Sequence, residues 1–156
     1  MTSSTGPAAG ELLVASAAHG AGYFKQTVIY LLDADESGAL GVVLNRHSPA
    51  DLDEVLPQWS DLVSPPQQLF AGGPVSPNGA VCVAMLADPA EDPPGWRRVH
   101  GELGLLHLDT PIEIARGAYA ELRIFAGYAG WEAGQLEGEL LQGYWHRFSA
   151  TEADVF

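Results

Sequence analysis

Two short stretches of this chain hold residue types and spacings with which chemistry could be done. In Ile124-Phe-Ala-Gly-Tyr-Ala-Gly-Trp-Glu-Ala-Gly-Gln-Leu-Glu137 an apolar run breaks into Gly127, Gly130 and Gly134. Tyr128 and Trp131 stand among them, and Gln135 and Glu137 open an amphipathic segment. Glycine permits backbone conformations closed to other residues and close approach of a neighbouring group, so this spacing predicts a strand-to-helix turn. The N–H groups of a helix start beside glycines form a ready anion site, although Glu137, in the first turn, could fill that role itself. The competing reading is a packing corner, with Trp131 in the core and Gln135 and Glu137 capping backbone groups. It is preferred, because buried aromatics beside glycine turns are usually packing devices. The second stretch is Leu44-Asn45-Arg46. Asn45 can take a left-handed conformation or complete a turn, and Arg46 offers a bidentate fork to an oxyanion. An internal ion pair with one of the twenty acidic residues is an equal alternative for Arg46.

Other chemistries lack their motifs. The glycines at 127, 130 and 134 are spaced wrongly for a dinucleotide fingerprint and fall near the wrong end of the chain. There is no phosphate-binding Gly-x-x-x-x-Gly-Lys, Lys25 being the sole lysine, and no Gly-x-Ser-x-Gly elbow. His107-Leu108-Asp109 could put two ligands on one strand face, but an isolated pair reads better as a polar edge. Glu137 and Glu139 lie two apart on a helix and point to different faces, which argues against acid-base pairing. No catalytic residue, metal or cofactor is therefore expected.

Composition sets the frame for these residues. A chain of 156 residues, 47% hydrophobic, builds one full core without disulfides or metal. The single cysteine, Cys82, sits in the apolar run Ala80-Val-Cys-Val-Ala-Met85 and reads as a small buried hydrophobe. The net charge is −13, with six scattered arginines and Lys25 against twenty acids. That balance works against phosphate neutralisation, so direct nucleic-acid binding is not expected. No run approaches a membrane span and no signal peptide opens the chain, so a cytoplasmic protein is expected.

The elements that must position the two stretches follow from patterning. Met1–Gly10 reads as a disordered tail, and residues 11–156 as a single domain. Glu11–Ala17 is a strand. Thr27–Leu32, apolar on both faces, is a central strand that returns through Asp33–Gly38 as Ala39–Leu44, a hairpin with Gly41 at a bulge or close neighbour. Asp51 and Glu54 form a capping-box-like pair for a short helix stopped by Pro57, with Trp59 an anchor beyond it. Gln68–Ala71 is a brief strand running into a tight turn at Gly72-Gly73-Pro74-Val75, and Ala80–Leu86 is another strand. Asp88–Gly95, with three prolines, is a loop. Arg97–Leu108 holds one or two strands. Thr110 and Pro111 start a helix that Gly117 stops, and Glu121–Ala126 is a strand. Leu136, Leu140 and Leu141 mark a helix ended by Gly143; Tyr144–Phe148 is the last strand, and Ser149 and Glu152 make a final capping box. Strands outnumber helices without β-α-β alternation, which gives α+β with a curled, largely antiparallel sheet.

Several blocks in one order resemble the YqgE/AlgH family. They are Leu12-Leu-Val-Ala15, Phe24-Lys-Gln-Thr-Val-Ile-Tyr30, Gly38-Ala-Leu-Gly-Val-Val-Leu-Asn-Arg46, Gly72-Gly-Pro-Val75, Gly127-Tyr-Ala-Gly-Trp131 and Gly134-Gln-Leu-Glu137. The resemblance implies a bifurcated sheet rolled into a pseudo-barrel with flanking helices, in a bacterial cytoplasmic protein. It also implies a further C-terminal helix beyond a position like Phe156. The family has no established activity; some members carry the label of a regulator of alginate synthesis. The family-like blocks add Thr27, Gly72 and Gly73 to the ligand-binding candidates Asn45, Arg46, Gly127, Tyr128, Gly130, Trp131, Gly134, Gln135 and Glu137. Four positions depart from the family pattern: Ala21 replaces an Asp, His47 in Asn45-Arg46-His47 replaces the Pro of Asn-Arg-Pro, and Asp33-Ala34 replaces Glu-His. The expectation is a non-catalytic regulatory module binding a protein partner or a small anionic ligand. An enzyme acting on a small anionic metabolite is the alternative, and an indirectly acting transcriptional regulator is a third.

Overall fold

The computed structural model describes residues 6–19, 22 and 24–156, so Met1–Thr5 of the expected tail and the departure at Ala21 lie outside the described residues. Among the described residues nine strands run β1 (Glu11–Ala15), β2 (Val28–Asp35), β3 (Gly38–Val43), β4 (Phe70–Ala71), β5 (Val75–Leu86), β6 (Trp96–His100), β7 (Leu103–Leu106), β8 (Tyr119–Glu132) and β9 (Trp145–Ser149). Four α-helices among the described residues, α1 (Leu52–Val55), α2 (Ile112–Ala115), α3 (Gln135–Leu141) and α4 (Glu152–Val155), are one or two turns long. None is long and apolar enough to cross a membrane.

The strands form one sheet in the order β6-β7-β5-β8-β3-β2-β1-β9, and β4 joins β8 as the one parallel pairing among these strands. The sheet forks on β8. Its first half pairs with β5, from Tyr119↔Leu86 to Ala126↔Ala80, while its end, Ala129–Glu132, pairs with Gly41–Gly38 of β3. Side chains on successive residues point to opposite faces, and both faces are covered. Leu12, Tyr30, Leu32, Val42, Phe125, Val83 and Leu103 share one core although β1 and β7 stand far apart in the sheet order. Only a strongly curled sheet brings them together, and this core is the inside of a half-barrel. The alternate residues pack outward. Leu122 and Ile124 lie with Trp59, Leu52 and Ala115 under α1 and α2. Leu13, Ile29, Leu31 and Trp131 lie with Leu136 and Trp145 under α3. Where the curl closes, Gly10 packs on His100 so tightly that a Cβ would stand 2.4 Å from the imidazole Cγ. The described end of the tail is tied down here: the Gly10 amide donates to Leu31 O at 2.9 Å.

Several element boundaries differ from expectation. The strand-to-helix turn expected across 127–134 is mostly strand, because β3 supplies a hydrogen-bonding edge that keeps β8 extended to Glu132; the turn shrinks to Ala133-Gly134. The β2–β3 hairpin is longer than expected. Leu32 forms a bulge, Ala34 still pairs with Ala39, and only Glu36-Ser37 turn, fastened by Asp35 accepting from the Ser37 amide at 2.8 Å. β5 starts at Val75 rather than Ala80. Asp51 caps α1 through the Asp53 amide, not through a box with Glu54. Pro111, not Thr110, is the N-cap of α2. The last capping box is Thr151 with Asp154 rather than Ser149 with Glu152.

Candidate functional site

The polar candidates of the hairpin all act on one turn of backbone. Gln26 has φ of 57°, a left-handed conformation that costs a non-glycine residue energy. Three side chains hold that turn. Buried Thr27 donates its hydroxyl to Phe24 O at 2.7 Å. Asn45 donates from Nδ2 to Gln26 O at 2.9 Å and accepts the Val28 amide at 3.0 Å, so one side chain satisfies backbone on both sides of Thr27. Arg46 donates from Nη2 to Lys25 O at 3.0 Å. Arg46 thus fastens the main chain at Lys25. Beside it lies a surface hollow of about 570 Å³ lined by Ala15, Ser16, Ala17, Lys25 and Gln26.

The clamped turn aims Phe24 at the other candidate stretch. The Phe24 ring lies 6.3 Å from that of Trp131, stacked, and 5.9 Å from that of Trp145, edge-on. The two indoles meet edge to face at 6.1 Å. Both indole N–H groups donate to a single oxygen of Glu139, from Trp131 at 3.1 Å and from Trp145 at 2.8 Å. Gln135 Nε2 donates to the other Glu139 oxygen at 3.2 Å, and Gln135 Oε1 accepts the Glu132 amide at 2.9 Å. Gly134 is the left-handed N-cap of α3. Half-buried Glu137 lines a hollow between α3 and β9, with Leu140, Leu141 and Phe148. This is a packing corner held by polar contacts, and Trp131 is buried in it.

The remaining glycines build the fork. Val43 donates to Gly72 O, and the Gly72 amide donates to Ala126 O, each at 2.8 Å, so this residue bridges β3 and β8 where they part. A Cβ on Gly73 would stand 2.1 Å from the Tyr128 carbonyl carbon, and one on Gly127 would stand 2.5 Å from Gly73 O. Gly127 also has φ of 75°, so it meets both the conformational and the steric requirement for glycine. It opposes the four residues Ser76–Gly79 in a wide register shift between Val75↔Tyr128 and Ala80↔Ala126. Tyr128 is half-buried against the inner core. Gly130 is exposed, and a Cβ there would meet nothing nearer than 3.8 Å.

The two stretches are joined indirectly. Trp131 pairs with Ala39 of β3, whereas Arg46 lies past the end of β3, its carbonyl accepting the Ala71 amide at 2.8 Å where Ala71 of β4 pairs with Ala126 of β8. Arg46 holds Lys25, and Phe24 next to it touches Trp131. His107 and Asp109 form an exposed pair at 3.7 Å, and among the described residues no group of three potential metal ligands occurs.

The pattern of the AlgH-like family, a domain of unknown function (DUF179), matches residues 12–156. The chain belongs to the AlgH-like family. A UPF0301 protein of Streptomyces avermitilis is 48% identical over 149 residues, 94% of this chain and 77% of that protein. A UPF0301 protein of Mycobacterium tuberculosis is 44% identical over 150 residues, 94% and 74% of the two chains. The crystal structure of a Corynebacterium diphtheriae protein superposes with a TM-score of 0.91 at 30% identity, covering 99% of this chain and 82% of the other. The solution structure of the AlgH protein from Pseudomonas aeruginosa gives 0.74 at 32% identity, covering 100% and 84%. The expected family and the curled, bifurcated sheet are both shown.

Three residues of this AlgH-like chain escaped the sequence reading. Phe24 was recognised only within a family-like block, although an aromatic beside a hairpin start is a candidate packing anchor. Glu139 was weighed only against Glu137, yet its four-residue spacing from Gln135 places the two on one helix face. Arg123 lies in a strand whose alternation, Glu121, Arg123, Phe125 against Leu122, Ile124, gave no sign that its polar face is the interior.

Proposed function

We propose that this AlgH-like protein is a non-catalytic regulatory module of the bacterial cytoplasm, and that it binds a small anionic ligand at the Lys25–Arg46 corner. The observation that carries this reading is the Arg46 guanidinium held at the main-chain oxygen of Lys25, which puts Arg46 on the backbone turn that carries Lys25 in a chain with net charge −13. A guanidinium on a turn that also carries a lysine suits an oxyanion with several acceptors. Occupancy would compete with or reinforce the clamp on the Gln26 turn and so move Phe24 against Trp131 and Trp145. The tryptophan corner and the α3 surface above it would carry the change to a protein partner.

A thermal-shift panel of inorganic phosphate, pyrophosphate and ATP tests the reading. A ligand at 100 times its Kd stabilises the native state by about 2.7 kcal/mol. The expected result is a shift with at least one anion that Arg46→Ala abolishes while leaving the unliganded protein folded. A shift that survives Arg46→Ala, or none with any of the three, would overturn it. Turnover of the bound anion would instead support the alternative, an enzyme acting on a small anionic metabolite at the same corner.

A further inference from the structure

The chain has two asparagines, and the fold treats them in opposite ways. Asn45 spends both ends of its side-chain amide on backbone, donating to Gln26 O and accepting the Val28 amide, and Arg46 follows it. Asn78 is exposed, makes no side-chain hydrogen bond among the described residues, and is followed by Gly79. It sits in the excursion of β5 opposite the fork. The register with β8 passes from Val75↔Tyr128 to Ala80↔Ala126, and β7 pairs only with Cys82–Met85. Ser76–Gly79 therefore have no ladder partners on either neighbouring strand, and all four are exposed.

Ser76-Pro77-Asn78-Gly79 puts Pro second and Gly fourth, the preferences of a tight turn. Gly79 needs no left-handed backbone, and a Cβ on it would meet nothing nearer than Ser76 O at 3.4 Å. The side-chain amide of an asparagine is one ring closure away from the next main-chain nitrogen. That closure needs a carboxamide free to rotate, a following nitrogen free to lose its proton, and no side chain in the way. Glycine leaves the approach open. Asn78 meets these conditions, and Asn45, bonded at both ends and followed by a long side chain, does not.

We propose that Asn78 is a self-modifying site, converted with time to aspartate and isoaspartate in the folded protein. The Gly79 nitrogen loses its proton and attacks Asn78 Cγ. The new N–Cγ bond closes a succinimide, the Cγ–Nδ2 bond breaks, and the side-chain nitrogen leaves as ammonia. Water then opens the ring. Cleavage at Cγ gives aspartate, and cleavage at the Asn78 main-chain carbonyl gives isoaspartate. Either product adds a carboxylate to an already acidic chain. Isoaspartate also adds a carbon to the main chain of an excursion packed on the fork, where Pro77 Cα lies 3.2 Å from the place of a Gly127 Cβ. The isoaspartyl carboxylate is a methyl acceptor for S-adenosylmethionine-dependent methyltransferases of the protein-isoaspartate class. The site shares no residue with the Lys25–Arg46 corner, so either proposal stands if the other fails.

The test is peptide mapping by mass spectrometry during incubation of the folded protein, with a blocked synthetic peptide of residues 75–81 as the clock. Asn78 should gain the mass of an amide-to-acid exchange at a rate within ten-fold of the peptide's, and faster at mildly alkaline than at neutral pH. The product should accept a labelled methyl group from S-adenosylmethionine in the presence of a protein-isoaspartate methyltransferase, and Asn45 should stay intact. Gly79→Ala, checked by its melting curve, should slow the conversion at least ten-fold, and Asn78→Gln should yield no isoaspartate. Conversion more than ten-fold slower than in the peptide would overturn the proposal, since the fold would then protect Asn78. So would equal rates in the parent and a folded Gly79→Ala, or conversion of Asn45 as fast as that of Asn78.

Discussion

Single side chains in this protein act chiefly on other parts of the same chain. Glu139 takes two indole protons on one oxygen, which fixes the edges of Trp131 and Trp145 while Phe24 covers the angle between their rings. Trp131→Ala should therefore destabilise the fold by about 3–5 kcal/mol in urea unfolding, since it removes a large buried aromatic and leaves Glu139 short of a donor. Cys82 is buried, and burial pushes its thiol pKa up. A thiol reagent should label it slowly in the native state and fast after unfolding; fast native labelling would mean that the strand opens. Tyr30 has a buried hydroxyl without a hydrogen-bond partner, and its pKa is raised to about 12, first by burial and then by Glu152. The unfolded phenol ionises near about 10. The stability this shift confers is complete below that pH and is lost as pH rises toward 12, because unfolding then releases a proton. Tyr119, also raised to about 12, adds the same sign. Tyr30→Phe should reduce the alkaline fall in melting temperature and cost less than about 1 kcal/mol at neutral pH, since it removes an unsatisfied group.

At the level of elements, β8 decides the architecture, because one strand serves two halves of the sheet. The change of partner requires Gly127 to turn with positive φ while Gly73 passes within contact distance. Gly127→Ala should cost at least about 2 kcal/mol, combining backbone strain with overpacking against Gly73 O. Gly130→Ala, three residues along, should change stability by no more than about 0.5 kcal/mol, because a Cβ there meets only ordinary contacts. Equal effects of the two substitutions in denaturant titrations would refute this account of the fork. The contrast also shows where sequence reading reached its limit. Gly127, Gly130 and Gly134 look alike in the sequence, yet one is a bulge, one a plain strand residue and one a helix cap. Local propensity suggests a turn at all three, and pairing with β3 overrides it. The β2–β3 hairpin was legible because its apolar run and turn residues are local signals, and the tight fit of Gly41 against Ile29 and Tyr30 agrees with the expected close neighbour. Trp131 was legible as a packing residue for the same reason.

At the level of the molecule, the half-barrel buries both faces of its sheet, so alternation along a strand does not separate inside from outside. That is why the interior position of Arg123 was hidden, and why the contact of Lys25 with Arg46 needed the folded hairpin to be seen. The family-like order of blocks carried the fold class further than periodicity alone. The same whole-molecule view bears on partners. With net charge −13, duplex DNA should bind no more tightly than about 10⁻⁵ M at physiological salt. A salt-sensitive gel shift at sub-micromolar protein would contradict this.

The central claim, that an anion at the Lys25–Arg46 corner is felt at the tryptophan corner, is tested most directly by tryptophan emission during a pyrophosphate titration. The parent protein should show a saturable change that Arg46→Ala abolishes. Phe24→Ala should keep the thermal shift but lose the emission change, because the link between the corners is gone. An emission change that persists in Arg46→Ala, or its survival in Phe24→Ala, would contradict the claim.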